Sequence, residues 1–322
     1  MTVPIFYACD DRFVKYTIVS LSSMIKNASK DRDYHIYVLH TNITEQMQKK
    51  LLALQNEQFT VSFENVTGYL ESVSERLPIR HYYSKTTYFR LFIAEMFPQY
   101  KKAIYIDSDT IVQGDISRLY DVDLGDRYLG ACHEQAMLQV DAYGTYVERV
   151  VGVSRYAYFN AGVLLINCEQ FRRKRILDQF ASALETYNFR VTQDEDYLNM
   201  LCRGHVLLLD QFWNTELTEG LEYDYDERDA YVLHYIMANK PWHYHQCRLA
   251  DVFWQYADET SVADELRADL AAYTDAERER DRISGENLYQ MALEETAKAD
   301  CRRRAALRSR RSVGTALEVA VG

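Results

Sequence analysis

Residues 103–112 read AIYIDSDTIV, and this stretch decides the fold class. Apolar residues that favour β-structure lead into Asp107 and Asp109, after which apolar character resumes, so we predict a buried strand that ends in acid. Buried ionised carboxylates are rare unless they are paired or bind a cation. Two residues apart on extended chain, the aspartates project to one side and can share a cation. An Asx turn that closes the strand is the alternative.

Strands and helices alternate on both sides of this stretch. Before it, apolar patterning predicts strands at 3–9, 34–40 and 59–66 and helices at 14–27, 44–56 and 84–97. After it, the pattern predicts strands at 129–132, 158–167, 206–209 and 231–234 and helices at 169–187 and 197–201. Such alternation is typical of βαβ units, so we predict an α/β fold with a mostly parallel sheet. Neither G-x-G-x-x-G after the first strand nor G-x-x-x-x-G-K occurs, which argues against a dinucleotide fold and a P-loop.

Composition narrows the class of protein. The chain has 322 residues, of which 48% are hydrophobic and only four are proline, as expected of a globular protein. Its net charge of -11 argues against nucleic acid as a partner. The six cysteines are scattered without a C-x-x-C pair, which predicts free thiols in a reducing compartment. The N-terminal apolar run, Val3 to Cys9, is too short for a signal sequence or a membrane span, so we predict a cytoplasmic protein.

The composition shifts near Asp251. We therefore predict a catalytic domain at 1–250 and a helical C-terminal extension at 251–322. Six arginines lie between Arg302 and Arg311, and such a basic cluster on an acidic protein is a candidate anchor for anionic lipid at the inner membrane face. A solvated, disordered tail is the alternative.

Three further places carry candidate functional residues. Arg90 is embedded in the apolar run YFRLFI and needs an anion, either one of the strand-end aspartates or a ligand. Ala161 and Gly162 open a buried strand and let the backbone come close to a ligand, with Asn160 supplying an amide; close packing is the alternative. His234 ends a short apolar strand with a side chain that can bind a metal.

Six segments, in order, resemble glycosyltransferase family 8, which includes bacterial lipopolysaccharide galactosyl- and glucosyltransferases and glycogenin. They are YACDD, TTYFRL, YIDSD, FNAGVLLIN, TQDEDYLN and HYIMANKPW, and the resemblance covers residues 3–245. It implies a GT-A fold, a UDP-glucose or UDP-galactose donor and Mn²⁺, with Mg²⁺ as the second candidate. It also implies a retaining transfer of the hexose to a saccharide, glycolipid or glycoprotein acceptor.

The resemblance implies roles for individual residues. The metal-binding DxD motif of the family is matched by Asp107 and Asp109. The family's third protein ligand of the metal is matched by His234. Those that match the binding positions for the nucleotide sugar are Ala8, Asp10, Arg90, Asp107, Ser108, Asn160, Ala161, Asp194 and Lys240. Among these, Ala8 and Asp10 match the uracil and ribose positions, and Lys240 matches the lysine that reaches the diphosphate. The residues assigned to catalysis are Glu195, Asp194 and Arg90.

Two departures from the family pattern bear on the chemistry. Met237 stands where H-x-x-G-x-x-K has glycine, which leaves room for a sugar-nucleotide binding module without turnover. Glu195 stands where relatives often have glutamine, so a covalent intermediate through this carboxylate competes with front-face attack, in which the diphosphate oxygen takes the acceptor's proton. A UDP-sugar hydrolase without a true acceptor is a third hypothesis.

Overall fold

The computed structural model describes residues 2–73, 86–192 and 194–298. Its strands are β1 (Thr2–Ala8), β2 (Asp33–His40), β3 (Phe59–Asn65), β4 (Lys102–Ile106), β5 (Thr110–Val112), β6 (Leu129–His133), β7 (Phe159–Asn167), β8 (Val206–Leu208), β9 (Thr215–Glu216) and β10 (Val232–His234). Its α-helices are α1 (Val14–Asn27), α2 (Glu45–Leu52), α3 (Thr67–Val73), α4 (Ile93–Met96), α5 (Ile116–Tyr120), α6 (Gln135–Gln139), α7 (Asp141–Tyr146), α8 (Cys168–Lys174), α9 (Ile176–Thr186), α10 (Asp194–Cys202), α11 (Ala250–Ala257), α12 (Ala263–Ala272) and α13 (Asp275–Ala297).

Seven strands form the central sheet in the order β3-β2-β1-β4-β7-β6-β8. Its neighbours pair in parallel except for β7, which runs antiparallel to both β4 and β6. The predicted mostly parallel sheet is confirmed. A second sheet has the order β5-β10-β9, in which β10 is antiparallel to β5 and parallel to β9.

Apolar side chains from the central strands form two clusters. Phe6 and Tyr105 belong to one cluster, and their neighbours Ile5 and Ile104 belong to the other. Because successive strand residues point to opposite faces, the clusters lie on the two sides of the sheet. Strands buried on both faces need the nearly continuous apolar runs from which they were predicted.

The stretch 103–112 is two strands rather than one. β4 ends at Ile106, and β5 begins at Thr110 in the second sheet. The turn between them is fixed because the Asp107 amide donates to the Gly162 carbonyl at 2.8 Å and the Thr110 hydroxyl donates to the Asp107 carbonyl at 2.9 Å. The acidic pair therefore lies where the two sheets meet.

Two predicted helices are corrected. The predicted helix 84–97 begins outside the described residues, and its described part is a 3₁₀ turn, Thr86–Leu91, followed by α4. This run is buried on all sides instead of along one stripe, so tertiary packing overrides the helical period. The predicted helix 169–187 is broken into α8 and α9 at Arg175, whose φ of 54° ends the first helix in the left-handed conformation.

The C-terminal helices pack against the sheet and its flanking helices. Lys15 of α1 forms an ion pair with Asp269 of α12, and α13 contacts α7 and buries Ala292 in one of the core clusters. The start of α13 is stabilised by a capping box in which Thr274 and Glu277 bond to each other's backbone. The boundary at residue 250 stays a prediction.

Within the described residues, no helix combines the length and the apolar character needed to cross a bilayer. The arginine cluster at 302–311 lies outside the described residues. The cysteines at the five described positions are all free, in agreement with the expected thiols.

Candidate active site

The end of β4, the turn after it and the end of β10 bring three ligand-type side chains together. Oxygen atoms of Asp107 and Asp109 and a ring nitrogen of His234 all lie within 4.8 Å of one another. The His234 Nε2 atom is 3.2 Å from Asp109 Oδ1 and 3.9 Å from Asp107 Oδ2. The antiparallel pairing of β10 with β5 positions the histidine, since His234 lies opposite Thr110 and the Tyr235 amide donates to the Asp109 carbonyl at 2.9 Å.

Gly162 on β7 makes room for this cluster. A Cβ atom at this position would lie 2.2 Å from His234 Cε1 and 2.9 Å from Asp107 Oδ2. Both distances are shorter than any stable contact, so a side chain here excludes the observed positions of the imidazole and the carboxylate. The close neighbours of this glycine are thus side chains of the cluster and not a helix. The approach of a ligand to this backbone stays a prediction.

The buried guanidinium group of Arg90 forms ion pairs with two carboxylates. Its Nη2 atom lies 3.2 Å from Asp107 Oδ1, its Nε atom lies 3.4 Å from Asp194 Oδ2, and its Nη1 atom donates to the Ala161 carbonyl. Burial acts to lower the pKa of Arg90, but Asp107 and the other nearby acids outweigh it and raise this pKa. The guanidinium therefore has the strand-end aspartate as the anion that the sequence required, and it orients both carboxylates.

Lys240 forms an ion pair with Asp109, the second aspartate of the acidic turn. Its Nζ atom lies 2.5 Å from Asp109 Oδ2 and also donates to the Tyr235 carbonyl. Burial acts to raise the pKa of Asp109, yet Lys240 and His234 together keep that pKa well below its usual value. Asp109 is therefore an ionised carboxylate with a lysine beside it.

The acids at the start of α10 differ in their surroundings. Asp196 is fully buried and accepts hydrogen bonds from the hydroxyls of Tyr146 and Tyr158, each at 2.8 Å, which makes it a packing residue. Burial raises the pKa of Asp194 more than Arg90 lowers it. Glu195 accepts from the Ala161 amide at 2.9 Å, and burial together with Glu134 raises the pKa of Glu195 well above its usual value.

A cleft of about 920 Å³ opens beside these residues. Asn160 and Glu195 line it on the side of the central sheet, and Met237 lines it from the loop after β10. Arg278 and Arg282 of α13 contribute to its opposite wall. The C-terminal extension therefore takes part in the shape of the cleft.

The family model of glycosyl transferase family 8 matches residues 4–246. The chain belongs to this family. It is 27% identical over 274 residues to the lipopolysaccharide glucosyltransferase WaaO of Escherichia coli K12, a match that covers 80% of this chain and 75% of that protein. It is 26% identical over 254 residues to the lipopolysaccharide 1,3-galactosyltransferase of Salmonella typhimurium LT2, with 74% of this chain and 72% of that protein covered.

Solved structures of glycosyltransferases share the fold. The galactosyltransferase LgtC, solved in complex with donor and acceptor sugar analogs, is 27% identical, and the match has a TM-score of 0.64 and covers 83% of this chain and 100% of that chain. The bifunctional glycosyltransferase WbbM matches with a TM-score of 0.75 at 23% identity, over 84% of this chain and 52% of its own, and shows the fold alone. The predicted GT-A fold and the family 8 resemblance are confirmed.

Three predicted donor-binding positions of this family 8 member lie near the carboxyl ends of β1 and β4. Ala8 is the last residue of β1, and Asp10 closes the following turn by accepting from the Arg12 amide at 3.0 Å. The Ser108 hydroxyl is buried and accepts from the Thr17 hydroxyl at 2.8 Å, so α1 anchors it. Their contacts with a nucleotide stay predictions.

The structure also shows polar residues that the sequence reasoning missed. Asn214 lies fully buried before β9 and joins Asn160 to His234, and Glu134 bonds Asn160 at 2.6 Å. Glu216 is fully buried nearby, and burial and Glu134 raise its pKa well above its usual value. The available signal was the run WNTEL, in which three consecutive polar residues stand between Trp213 and Leu217, a segment too short to give a strand period.

Met237, the departure from the family pattern, has a φ of 58°. This is the left-handed conformation that glycine adopts most readily, so the methionine takes a backbone conformation that suits the glycine of the family pattern. The Met237 side chain is 54% exposed and lines the cleft. The methionine therefore adds a side chain to the wall of the cleft at a position whose backbone conformation suits glycine.

Proposed function

We propose that this family 8 protein is a retaining transferase that moves a hexose, glucose or galactose, from a UDP-sugar to a saccharide, glycolipid or glycoprotein acceptor. The observation that carries the proposal is the convergence of Asp107, Asp109 and His234 at the carboxyl ends of β4 and β10. Ligands of α/β sheets bind at such strand ends. Lys240 and Arg90 add positive charge at the same place, which suits a donor with a diphosphate.

The three side chains fit a divalent cation. Two carboxylates and one imidazole favour Mn²⁺ over Mg²⁺, which prefers oxygen ligands and water. Gly162 leaves the space that the three side chains need in order to converge. When bound, the cation supplies Lewis acidity to the diphosphate oxygens of the leaving UDP.

Lys240 takes part in leaving-group stabilisation in this proposal. Its ammonium group lies beside Asp109, so a short side-chain movement brings its charge to a diphosphate that binds there. Ala8, Asp10 and Ser108 form the uridine side of the donor site. Their position at the carboxyl ends of strands next to the acidic turn supports this assignment.

The hexose is proposed to lie against Arg90, Asn160, Ala161 and Asp194. As the bond from C1 to the diphosphate oxygen breaks, the sugar ring becomes oxocarbenium-like, and a polar group on its β face stabilises it. Glu195 is the residue assigned there. Its raised pKa favours the neutral carboxyl group, which is a poor nucleophile and resembles the glutamine of relatives. This supports front-face attack over double displacement.

The acceptor is proposed to bind in the cleft of about 920 Å³ that Glu195 helps to line. The α13 residues Arg278 and Arg282 form a wall that the sheet domain does not supply, and Met237 lines the cleft from the loop after β10. The proposed division into a catalytic domain at 1–250 and an extension at 251–322 therefore gives the extension a share in acceptor binding. A cytoplasmic location with peripheral contact at the inner membrane face through residues 302–311 completes the proposal.

UDP release tests the proposal. We expect UDP to be released from one member of a panel of UDP-sugars in the presence of Mn²⁺ and an acceptor saccharide. Asp109→Asn removes a ligand charge and should abolish the release. Asp31→Asn is the matched control, since Asp31 is an exposed residue that precedes the amino end of β2, whereas the site lies at carboxyl ends of strands.

The products separate the alternatives. A binding module would bind UDP-sugar with Mn²⁺ but release no UDP. A hydrolase would release UDP without an acceptor and yield free sugar as the main product. A slow donor that leaves a glycosyl adduct on Glu195 would favour double displacement and contradict the front-face proposal.

A further inference from the structure

A chain of buried amides links the backbone of β7 to the imidazole of His234. The Gly162 amide donates to Asn160 Oδ1 at 2.8 Å, and Asn214 Nδ2 donates to the same oxygen at 2.8 Å. Asn214 Oδ1 in turn lies 2.9 Å from His234 Nδ1. All three side chains are buried, with exposures of 6% for Asn160, 0% for Asn214 and 4% for His234.

The direction of this chain follows from its first member. An asparagine amide offers one accepting oxygen and one donating nitrogen of nearly the same shape, so its partners decide which atom faces which way. The Gly162 N–H group can only donate, and it therefore selects the oxygen of Asn160. The atom of Asn214 that faces this oxygen must then be its nitrogen, which leaves the Asn214 oxygen to face His234.

The contact that the Asn160 nitrogen makes supports this orientation of the two amides. Asn160 Nδ2 lies 2.6 Å from Glu134 Oε2, and a carboxylate oxygen accepts. Reversing Asn160 would place its oxygen against Glu134 and its nitrogen against the Gly162 N–H group. Both contacts would then be unfavourable in a buried place, where an unmade hydrogen bond is costly.

The same logic fixes the imidazole. Because Asn214 presents an oxygen, His234 Nδ1 must carry the proton, and the lone pair of a neutral ring is left on Nε2. Nε2 is the atom that faces Asp109 Oδ1 at 3.2 Å and Asp107 Oδ2 at 3.9 Å. A ring with the opposite tautomer would present an N–H group, which cannot bind a cation, to these carboxylates.

We infer that Asn214 is a positioning residue that selects the Nδ1–H tautomer of His234 and so keeps the Nε2 lone pair available to a divalent cation. Its orientation is set from the Gly162 backbone through Asn160. The inference rests on the proposed function for the identity of the site, and it adds a residue that makes no contact with donor or acceptor.

The tautomer is measurable without a metal. Protein labelled with ¹⁵N-histidine, free of metal, should give long-range ¹H–¹⁵N NMR correlations in which His234 Nδ1 carries a proton, whether Nε2 is bare or also protonated against Asp109. The signal is assigned by its absence in His234→Gln. A His234 ring without a proton on Nδ1, or averaged between the two tautomers, would overturn the inference even if no variant folds.

Variants test the chain step by step. Asn214→Leu removes the accepting oxygen, and loss of such a supporting partner weakens metal binding by about 10- to 100-fold. We expect this loss in a Mn²⁺ titration followed by electron paramagnetic resonance, with and without UDP. Thr215→Val is the matched control, because Thr215 is equally buried on β9 but its hydroxyl bonds Gln211 and Tyr225. It should leave Mn²⁺ affinity unchanged.

Asn160 distinguishes a relay from simple packing. Asn160→Asp retains an oxygen that accepts from both Gly162 and Asn214 but sets a second oxygen against Glu134, so it is combined with Glu134→Gln, whose amide can donate to it. In this double variant the His234 tautomer should persist. Asn160→Leu releases Asn214 and should give a mixture of tautomers, and an unchanged tautomer in Asn160→Leu would contradict the relay. Equal Mn²⁺ affinity in wild type and Asn214→Leu would overturn the role of Asn214 alone, whereas wild-type protein without Mn²⁺ affinity would contradict the proposed metal site as well.

Discussion

Replacing Gly162 with alanine tests whether the space beside β7 is what lets the candidate ligands converge. The added Cβ would lie 2.2 Å from His234 Cε1. Carbon atoms in contact are about 3.5–4.0 Å apart, so the overlap is about 1.5 Å. The ring has little freedom to retreat, because β10 pairs with β5 on one side and β9 on the other and His234 Nδ1 is bonded to Asn214.

Two effects of different size follow from this overlap. Overpacking of a buried site costs about 1–3 kcal/mol, so the free energy of unfolding should fall by that amount. Displacement of His234 should also remove most of the stabilisation by metal. For wild type, Mn²⁺ at about 100 times its dissociation constant should add about 2.7 kcal/mol to the free energy of unfolding, measured by denaturant titration against a sample with chelator. In Gly162→Ala we expect less than half of that increment.

Gly130→Ala is the matched control on the neighbouring strand β6. Its Cβ would lie 3.1 Å and 3.3 Å from side-chain carbons of Leu124 and Leu209, which can shift. This variant should lose some stability but keep the full Mn²⁺ increment. The reasoning is refuted if Gly162→Ala retains the wild-type increment, because the imidazole would then tolerate a side chain where the structure gives it no room.

Three further predictions concern single residues elsewhere. Gly285→Ala should raise the free energy of unfolding by about 0.5–1 kcal/mol in denaturant titration, because Gly285 lies inside α13 and its Cβ position has nothing within 4 Å. Burial raises the pKa of Asp196 to about 6, so its folded form favours the protonated carboxyl. The contribution of Asp196 to the free energy of unfolding should therefore be lost as the pH rises from about 4 through about 6, by up to about 3 kcal/mol. Denaturant titrations across this pH range should show a smaller loss of unfolding free energy in Asp196→Asn. Lys240→Gln should bind Mn²⁺ alone more tightly and UDP more weakly in calorimetric titrations, since it removes a positive charge 2.5 Å from an Asp109 oxygen.

Much of the fold was predictable because its signals are local. The helix 14–27 was predicted with the bounds that α1 has, since apolar residues such as Val14, Ile18 and Leu21 repeat with the helical period. The reversal of β7 was not predictable in this way, because a strand buried on both faces reads alike in either direction. The break at Arg175 was missed because neither Gly nor Pro marks it.

The residues of the candidate site also fall into those that the sequence predicts and those that it does not. Asp107 and Asp109 were found because acid at the end of an apolar strand is unusual, and Arg90 was found because an isolated guanidinium in an apolar run needs an anion. Asn214 was not found, because an asparagine in a short irregular segment is common and its significance depends on what lies against it. The family pattern indicates candidate ligands. The hydrogen-bond chain that orients one of them depends on contacts between distant segments, which the sequence does not show.

The charges around the acidic turn explain why a cluster of carboxylates is stable there before any ligand binds. Asp107 has Arg90 as its partner, and Asp109 has Lys240. These two partners differ in how freely their charged groups can move. The Arg90 guanidinium is also bonded to the Ala161 carbonyl and to Asp194, so it is held in place as a permanent counter-charge. The Lys240 ammonium is a point charge on a flexible stem. In the proposed function, a cation at Asp109 would repel this ammonium group and the diphosphate bound with the cation would attract it. The proposal therefore predicts that metal and nucleotide favour each other's binding, with Lys240 as the group that moves between the two anions.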